Sequence, residues 1–354
     1  MRELKIGNLI AKVPIIQGGM GVGISLDRLA SAVANEGGIG VLSAAGIGID
    51  APGYSKNPIE IAEKALRRLI QKTKEKTKGI IGINIMVALS NYEMFVKTAI
   101  EEKIDIIFSG AGLPTDLPRF LTIGSKTKLV PIVSSLRAAA IIFKRWKNKY
   151  NYIPDAFVVE GPLAGGHLGF KKEQLYSESC KLENVIAEIV EFAEKAGAEN
   201  GKKIPVIAAG GIFSGQDIRR FMSLGASGVQ MGTRFVATVE CDASQAFKDS
   251  YVNCRKNDLQ IIDSPVGMPG RAIWNDFLQN VKSGLKKPVK CPYHCIKTCD
   301  VVGSPYCIAH ALLNAKNGNM EEGFAFAGAN AYRVKDIVTV KQLMESLKSE
   351  YDET

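Results

Sequence analysis

Of the three histidines in the chain, His167 is the one whose neighbours suit chemistry. It stands in the run Glu160-Gly161-Pro162-Leu163-Ala164-Gly165-Gly166-His167-Leu168-Gly169, where Gly165, Gly166 and Gly169 leave the imidazole no apolar face to pack into. With an unperturbed pKa near ~6.5, such a ring can take or give a proton at neutral pH. The plain alternative is a loop histidine bonded to a nearby carbonyl. Glu160 at the head of this run is placed to bind a cofactor or to tune the histidine. It reads equally as a solvated strand-end carboxylate.

Two glycine-containing runs form a second pattern: Ala208-Ala209-Gly210-Gly211-Ile212 and Gln230-Met231-Gly232-Thr233-Arg234-Phe235. Each follows a strand-like segment, and glycine is needed where backbone amides must approach an anion without a Cβ in the way. Loops of this kind after the last two strands of a barrel, with a helix N-terminus, often hold a phosphate. Thr233 adds a hydroxyl. The run Gln17-Gly18-Gly19-Met20-Gly21-Val22-Gly23 is also glycine-rich, yet its spacing is wrong for the dinucleotide fingerprint G-x-G-x-x-G. It implies close approach to something flat. Asn84, in Gly82-Ile83-Asn84-Ile85-Met86, places an amide among apolar neighbours, and a buried amide must find partners.

Cys291, Cys295, Cys299 and Cys307 are spaced C-x3-C-x3-C-x7-C, with His294 and His310 nearby. The spacing is compatible with a metal but matches neither the usual zinc pairs nor the C-x2-C of iron–sulfur sites. At i, i+4 and i+8 the first three thiols would share a helix face, where small thiols pack. Packing is the favoured reading, and no metal is expected.

The elements that must position these residues follow a regular alternation. Apolar, β-branched segments at 14–17, 39–43, 80–85, 104–109, 129–133, 156–160, 205–209 and 228–231 read as strands buried on both faces. Between and after them, 26–36, 58–75, 92–102, 114–123, 136–150, 182–196, 214–223 and 243–252 read as helices. Ser25 is a candidate N-cap, Pro58 suits a first turn, and Gly37 and Gly197 suit helix ends. Eight strand–helix pairs predict an α/β fold of the (β/α)8 TIM-barrel class over an open doubly wound sheet. The expected division is a barrel over residues 1–256 and a C-terminal extension or lid over 257–354, irregular apart from a helix near 340–347.

Composition narrows the function classes. The chain has 354 residues and is 46% hydrophobic, enough for a sizeable core. No apolar run approaches the ~18 residues that span a bilayer, and no signal peptide opens the chain, so a cytoplasmic protein without membrane contact is expected. The net charge of +9 comes from lysines scattered along helix-like segments, which argues against nucleic acid. Seven cysteines without a secretion signal argue for a reducing compartment.

Taken together, Gln17-Gly18-Gly19-Met20, Asn84-Ile85-Met86, Gly165-Gly166-His167-Leu168-Gly169, Ala209-Gly210-Gly211-Ile212 and Gln230-Met231-Gly232-Thr233-Arg234-Phe235 resemble a known family. They are similar to the nitronate monooxygenases, formerly 2-nitropropane dioxygenases, and to the related FMN-dependent enoyl-acyl-carrier-protein reductases. The resemblance covers residues 6–277, with Gly267-Met268-Pro269-Gly270-Arg271 similar to the stretch that approaches the active site. It implies FMN held by Met20, Asn84, Glu160, Gly165, Gly211, Gln230, Met231, Gly232 and Thr233, with His167 facing the substrate side of the ring. Gly19, Gly166 and Gly210 complete the candidate cofactor-binding set. The expected reaction is oxidation of alkyl nitronates with O2 to carbonyl compounds and nitrite. The alternative is an NAD(P)H-dependent enoyl-thioester reductase. A third reading is a non-catalytic flavin-binding or accessory protein that docks through its cysteine stretch. The run 324–331 looks like a monooxygenase C-terminus and favours the first. The expected partners are a small-molecule substrate with O2 or NAD(P)H, and a second copy in a homodimer.

Overall fold

The computed structural model of the chain describes residues 1–286, 291 and 293–353. A hairpin, β1 (Leu4–Ile6) and β2 (Leu9–Ala11), precedes β3 (Ile15–Gln17), β4 (Gly40–Ser43), β5 (Ile81–Met86), β6 (Ile106–Gly110), β7 (Lys128–Val133) and β8 (Phe157–Glu160). Then come β9 (Gly166–His167), β10 (Val206–Ala209) and β11 (Gly228–Met231). Eight of these form one parallel sheet in the order β3-β11-β10-β8-β7-β6-β5-β4. The sheet closes on itself, because Ile39 donates to the carbonyl of Ile15 and Gln17 to that of Ile39, both at 3.0 Å. The fold is therefore the expected (β/α)8 barrel.

Alternation along the strands sorts the core into two layers. Ile16, Val41, Phe108, Val130, Val158 and Ile207 point into the barrel, where Leu4, Ile6 and Ala11 of the hairpin join them. A Cβ on Gly228, at the start of β11, would lie 3.2 Å from Leu4 Cδ2, so the hairpin stoppers the N-terminal end of the barrel. Ile83, Ile107, Leu129, Val159 and Val229 point outward to the helices.

Those helices include α1 (Asp27–Asn35), α2 (Pro58–Lys76), α3 (Tyr92–Glu101), α4 (Leu136–Tyr150), α5 (Leu182–Glu199) and α6 (Gly215–Ser223). Pro58 occupies the first turn of α2, and Gly37 follows α1 with a φ of +83°. Three local expectations fail. Ser25 does not cap α1; its hydroxyl accepts from Met20 N at 2.8 Å, and the carboxylate of Asp242 takes the N–H groups of Leu26 and Leu29. The helix expected at 114–123 is a 3-10 turn over Leu117–Phe120. Pro118 has no N–H to give to the carbonyl of Pro114, which instead accepts from Leu117 N at 3.3 Å and from the indole N–H of Trp146 at 2.8 Å. Gly197 does not end α5, which runs on to Glu199.

The eighth helix is the main departure. After β11 come a single turn, α7 (Thr233–Val236), and α8 (Gln245–Val252), the helix expected to close the barrel. That place is taken by the last helix, α11 (Val340–Asp352), which packs against α6 and α1. Its buried Val340, Leu343, Met344 and Leu347 form the i, i+3, i+4, i+7 stripe that such a position demands.

Between α8 and α11 the chain is more regular than expected. It forms an antiparallel hairpin of β12 (Leu259–Asp263) and β13 (Pro269–Ile273), then α9 (Asp276–Lys282) and α10 (Ile308–Lys316). Positions 287–290, 292 and 354 of the expected extension lie outside the described residues. The described cysteine stretch is not helical, so its thiols share no helix face. Its backbone pairs sideways, Ser90 N donating to Cys295 O at 3.0 Å and Lys297 N to Ala88 O at 2.9 Å, and His294 is left-handed with a φ of 44°. Among the described residues, no helix is long and apolar enough to cross a membrane.

Candidate active site

The period of two that builds the barrel core also builds the site. One step beyond the inward-facing Val41, Gly82, Val158 and Gly228 lie Ser43, Asn84, Glu160 and Gln230, at the C-terminal ends of β4, β5, β8 and β11. They ring the floor of a cavity of about 520 Å³ at that end of the barrel. All thirteen candidate residues from the sequence line it: His167, Gly19, Met20, Asn84, Glu160, Gly165, Gly166, Gly210, Gly211, Gln230, Met231, Gly232 and Thr233. Of the four cysteines only Cys295 does, and all seven in the chain are free thiols. Among the described residues, no three His, Cys, Asp or Glu side chains are placed to hold a metal ion.

The polar groups of the floor are unspent. Among the described residues, the side chains of Asn84, Glu160 and Gln230 have no hydrogen-bond partner, and the N–H groups of Gly211, Gly232 and Thr233 have no acceptor. Glu160 is half-buried, its open part facing the cavity and not bulk water. No cation lies beside it among the described residues, and burial pushes its pKa up to about 7. The glycines are sterically required where the backbone lines this space. A Cβ on Gly19 would fall 2.5 Å from Asn84 Cβ, and one on Gly165 would fall 2.5 Å from the backbone of Ala327 and Gly328.

His167 is held on the opposite side by the segment after α8. Its strand β9 pairs with β13, Gly270 opposite His167 and Arg271 opposite Gly166, and Leu168 N donates to Pro269 O at 2.9 Å. The buried guanidinium of Arg271 donates to the carbonyls of Pro162 and Ala164 at 2.6 and 2.7 Å, clamping the loop that carries the histidine. Nε2 of His167 lies 2.7 Å from the hydroxyl of Ser264, and the Phe326 ring meets the imidazole edge-on at 4.9 Å. The glycine frame thus does not leave the ring without an apolar neighbour; Phe326 arrives from a distant part of the chain. Burial pushes the pKa of His167 down to about 4, so the ring is neutral at pH 7.

Sequence reasoning expected an extension over the barrel, with 267–271 approaching the active site, but did not single out Tyr251, Ile308, Leu312 or Phe326 as residues of the site. Met268, Tyr251, Ile308, Leu312 and Phe326 line the cavity, and Tyr251 gives its hydroxyl hydrogen to the carbonyl of Phe326. The runs 264–271 and 324–331 carry the signal, since both hold Gly or Ala where chains cross closely, but neither shows from sequence which barrel loop it meets. Two further contacts tie cover to barrel. Asn330 donates to Gly211 O at 2.5 Å, and Gly328 N donates to Thr233 Oγ1 at 3.1 Å.

The chain is similar to several known proteins. FabK from Thermotoga maritima is 28% identical, with a TM-score of 0.73 over 96% of this chain and 93% of that one. A probable nitronate monooxygenase of Staphylococcus aureus strain Newman is 26% identical over 309 residues, covering 77% of this chain and 78% of that protein. The (3aS,4S,5R,7aS)-5-hydroxy-7a-methyl-1-oxo-octahydro-1H-indene-4-carboxyl-CoA dehydrogenase of Mycobacterium tuberculosis is 28% identical over 274 residues, 77% of this chain. The match spans just under two thirds, 66%, of that protein's length. The family model described as nitronate monooxygenase matches residues 2–350, so the chain belongs to the nitronate monooxygenase family.

Proposed function

We propose that the chain is an FMN-dependent nitronate monooxygenase that converts alkyl nitronates and O2 to carbonyl compounds and nitrite. The supporting observation is the division of one cavity: unspent polar groups on the barrel floor, and a single neutral imidazole on the cover. The floor fits the cofactor. Asn84, Glu160 and Gln230 offer donors and acceptors to the edge of a flavin ring, and Glu160, with its raised pKa, can itself donate. Gly211, Gly232 and Thr233 offer free N–H groups to a phosphate. When bound, FMN supplies the electron transfer and the reaction with oxygen.

The residues of the chain supply binding and orientation. Gly19 and Gly165 keep Cβ atoms out of the cavity wall, Arg271 fixes the histidine loop, and His167 faces the substrate. A cavity of about 520 Å³ that first takes a flavin mononucleotide leaves room for a small anion more readily than for a dinucleotide. Phe326, Met268, Ile308 and Leu312 would pack the alkyl group. The same apolar cover, together with the likeness to FabK and to a dehydrogenase named for a CoA thioester, favours enoyl-thioester reduction as the second reading.

The test is anaerobic mixing of the yellow protein with propionate 3-nitronate, NADPH or NADH while flavin absorbance is followed. Bleaching by the nitronate is expected. Fast bleaching by NADPH without a response to the nitronate would overturn the monooxygenase in favour of the reductase, and no response to any of the three would leave a non-catalytic flavin protein.

A further inference from the structure

Ser264 sits in the turn between β12 and β13, and two backbone bonds fix it there: its N–H donates to Met268 O at 3.2 Å, and Gly267 N donates to its carbonyl at 3.0 Å. Its side chain is buried, and its hydroxyl has one partner among the described residues, Nε2 of His167 at 2.7 Å. His167 lines the cavity and Ser264 does not, so Nε2 is turned toward the cover. Nδ1, which has no protein partner among the described residues, is the ring nitrogen left for a ligand.

One hydrogen lies between the hydroxyl and Nε2, and its owner follows from hydrogen-bond satisfaction. If Nε2–H donated to Ser264, the hydroxyl hydrogen would be buried with no acceptor among the described residues. If the hydroxyl donates to Nε2, that hydrogen is used and only an oxygen lone pair goes unmatched, a lesser penalty than an orphaned donor. A neutral imidazole with Nε2 accepting carries its hydrogen on Nδ1.

We infer that Ser264 is a positioning residue that locks His167 as the Nδ1–H tautomer, so that the imidazole donates a hydrogen bond to an anionic oxygen in the cavity and is not the base that creates the anion. This rests on the proposed nitronate substrate, whose charge lies on the two nitro oxygens. An N–H facing such an oxygen stabilises it, whereas a lone pair there would repel it. The enzyme then takes nitronates already ionised in solution and gains nothing from His167 in deprotonating a neutral nitroalkane.

Nitrogen NMR of the FMN-loaded enzyme labelled with 15N-histidine tests the tautomer directly. Only three imidazoles are present, and a His167→Asn variant identifies the signal of interest. The expected result between about pH 6 and 8 is a neutral ring with its hydrogen on Nδ1. In Ser264→Ala the two nitrogens should shift toward values averaged over both tautomers, and Ser264→Thr should restore the parent spectrum. A hydrogen on Nε2 in the parent enzyme, or a Ser264→Ala spectrum unchanged from it, would overturn the inference. In turnover, Ser264→Ala should raise KM for ethyl nitronate about tenfold with a smaller change in kcat, while retaining the flavin spectrum. His167-dependent oxidation of nitroethane faster than its spontaneous ionisation would also overturn it. If the parent enzyme oxidises no nitronate at all, the proposed function fails, and the NMR result still decides the tautomer.

Discussion

The floor and the cover of the cavity are built by opposite means. The floor belongs to the ends of parallel strands, where alternation leaves Asn84, Glu160 and Gln230 pointing inward with no partner among the described residues. The cover consists of chain crossings: β13 against β9, residues 327–328 against Gly165, and Asn330 on Gly211, with polar groups such as Arg271 and Asn330 used to hold another part of the protein. The floor is poised for a ligand, and the cover is poised to hold His167. Disturbing the cover should therefore cost stability first, and disturbing the floor should cost ligand binding first.

The largest effect is expected at the tightest crossing. Gly165→Ala puts a methyl 2.5 Å from the backbone of Ala327 and Gly328, neither of which can retreat like a flexible side chain. Urea denaturation should show a loss of about 3 kcal/mol, and flavin should be lost on dialysis. A variant as stable as the parent would show that the cover is compliant. Arg271→Met comes next. It keeps the bulk but leaves the carbonyls of Pro162 and Ala164 without their donor. A loss of about 2 kcal/mol is expected, with kcat falling more than flavin affinity. The reverse pattern would move Arg271 from the cover to the cofactor.

Glu160→Gln is the corresponding probe of the floor and should act with the opposite sign. A carboxyl raised to about 7 in the folded chain binds protons more tightly there than in the unfolded chain. The stability it permits is therefore full in acid and declines as pH rises from the ordinary glutamate range through 7. Removing the charge should stabilise the flavin-free protein at pH 8 by about 1–2 kcal/mol and change nothing at pH 4. His167 runs the other way: its lowered pKa means that stability is lost as pH falls from about 6.5 toward 4. Equal melting temperatures of parent and Glu160→Gln protein at pH 8 would count against an uncompensated carboxylate. The smallest effect belongs to the joint of the two regions. Thr233→Val removes the acceptor for Gly328 N and should cost about 1 kcal/mol by the same denaturation measurement.

The same contrast explains what could be read from the sequence. Strand-end residues announce themselves through local pattern. An apolar run followed by Asn84, by Glu160 or by Gln230 is visible within a few residues, and period two says which face each occupies. Every candidate chosen on that ground lines the cavity. The cover offers no local pattern, because its meaning lies in partners about a hundred residues away or more, as Arg271 with Pro162 or Ser264 with His167. The eighth helix was misassigned for the same reason. Both 243–252 and the last helix carry apolar stripes, and only the packing of α11 on α6 and α1 separates them. The cysteine spacing misled because i, i+4 periodicity was read as helix where the backbone hydrogen-bonds sideways to residues 88–90.

The placing of α11 bears on how the protein is made. The eighth strand ends at Met231, yet the helix that shields its neighbourhood begins at Val340. During synthesis the ribosome must deliver the whole cover before the apolar flank between α1 and α6 can be closed. Until then the faces of α1 and α6 that pack on α11 lack their final layer. The barrel should therefore complete its ring only after translation of the last helix, with that open flank a natural binding surface for a chaperone in the interval.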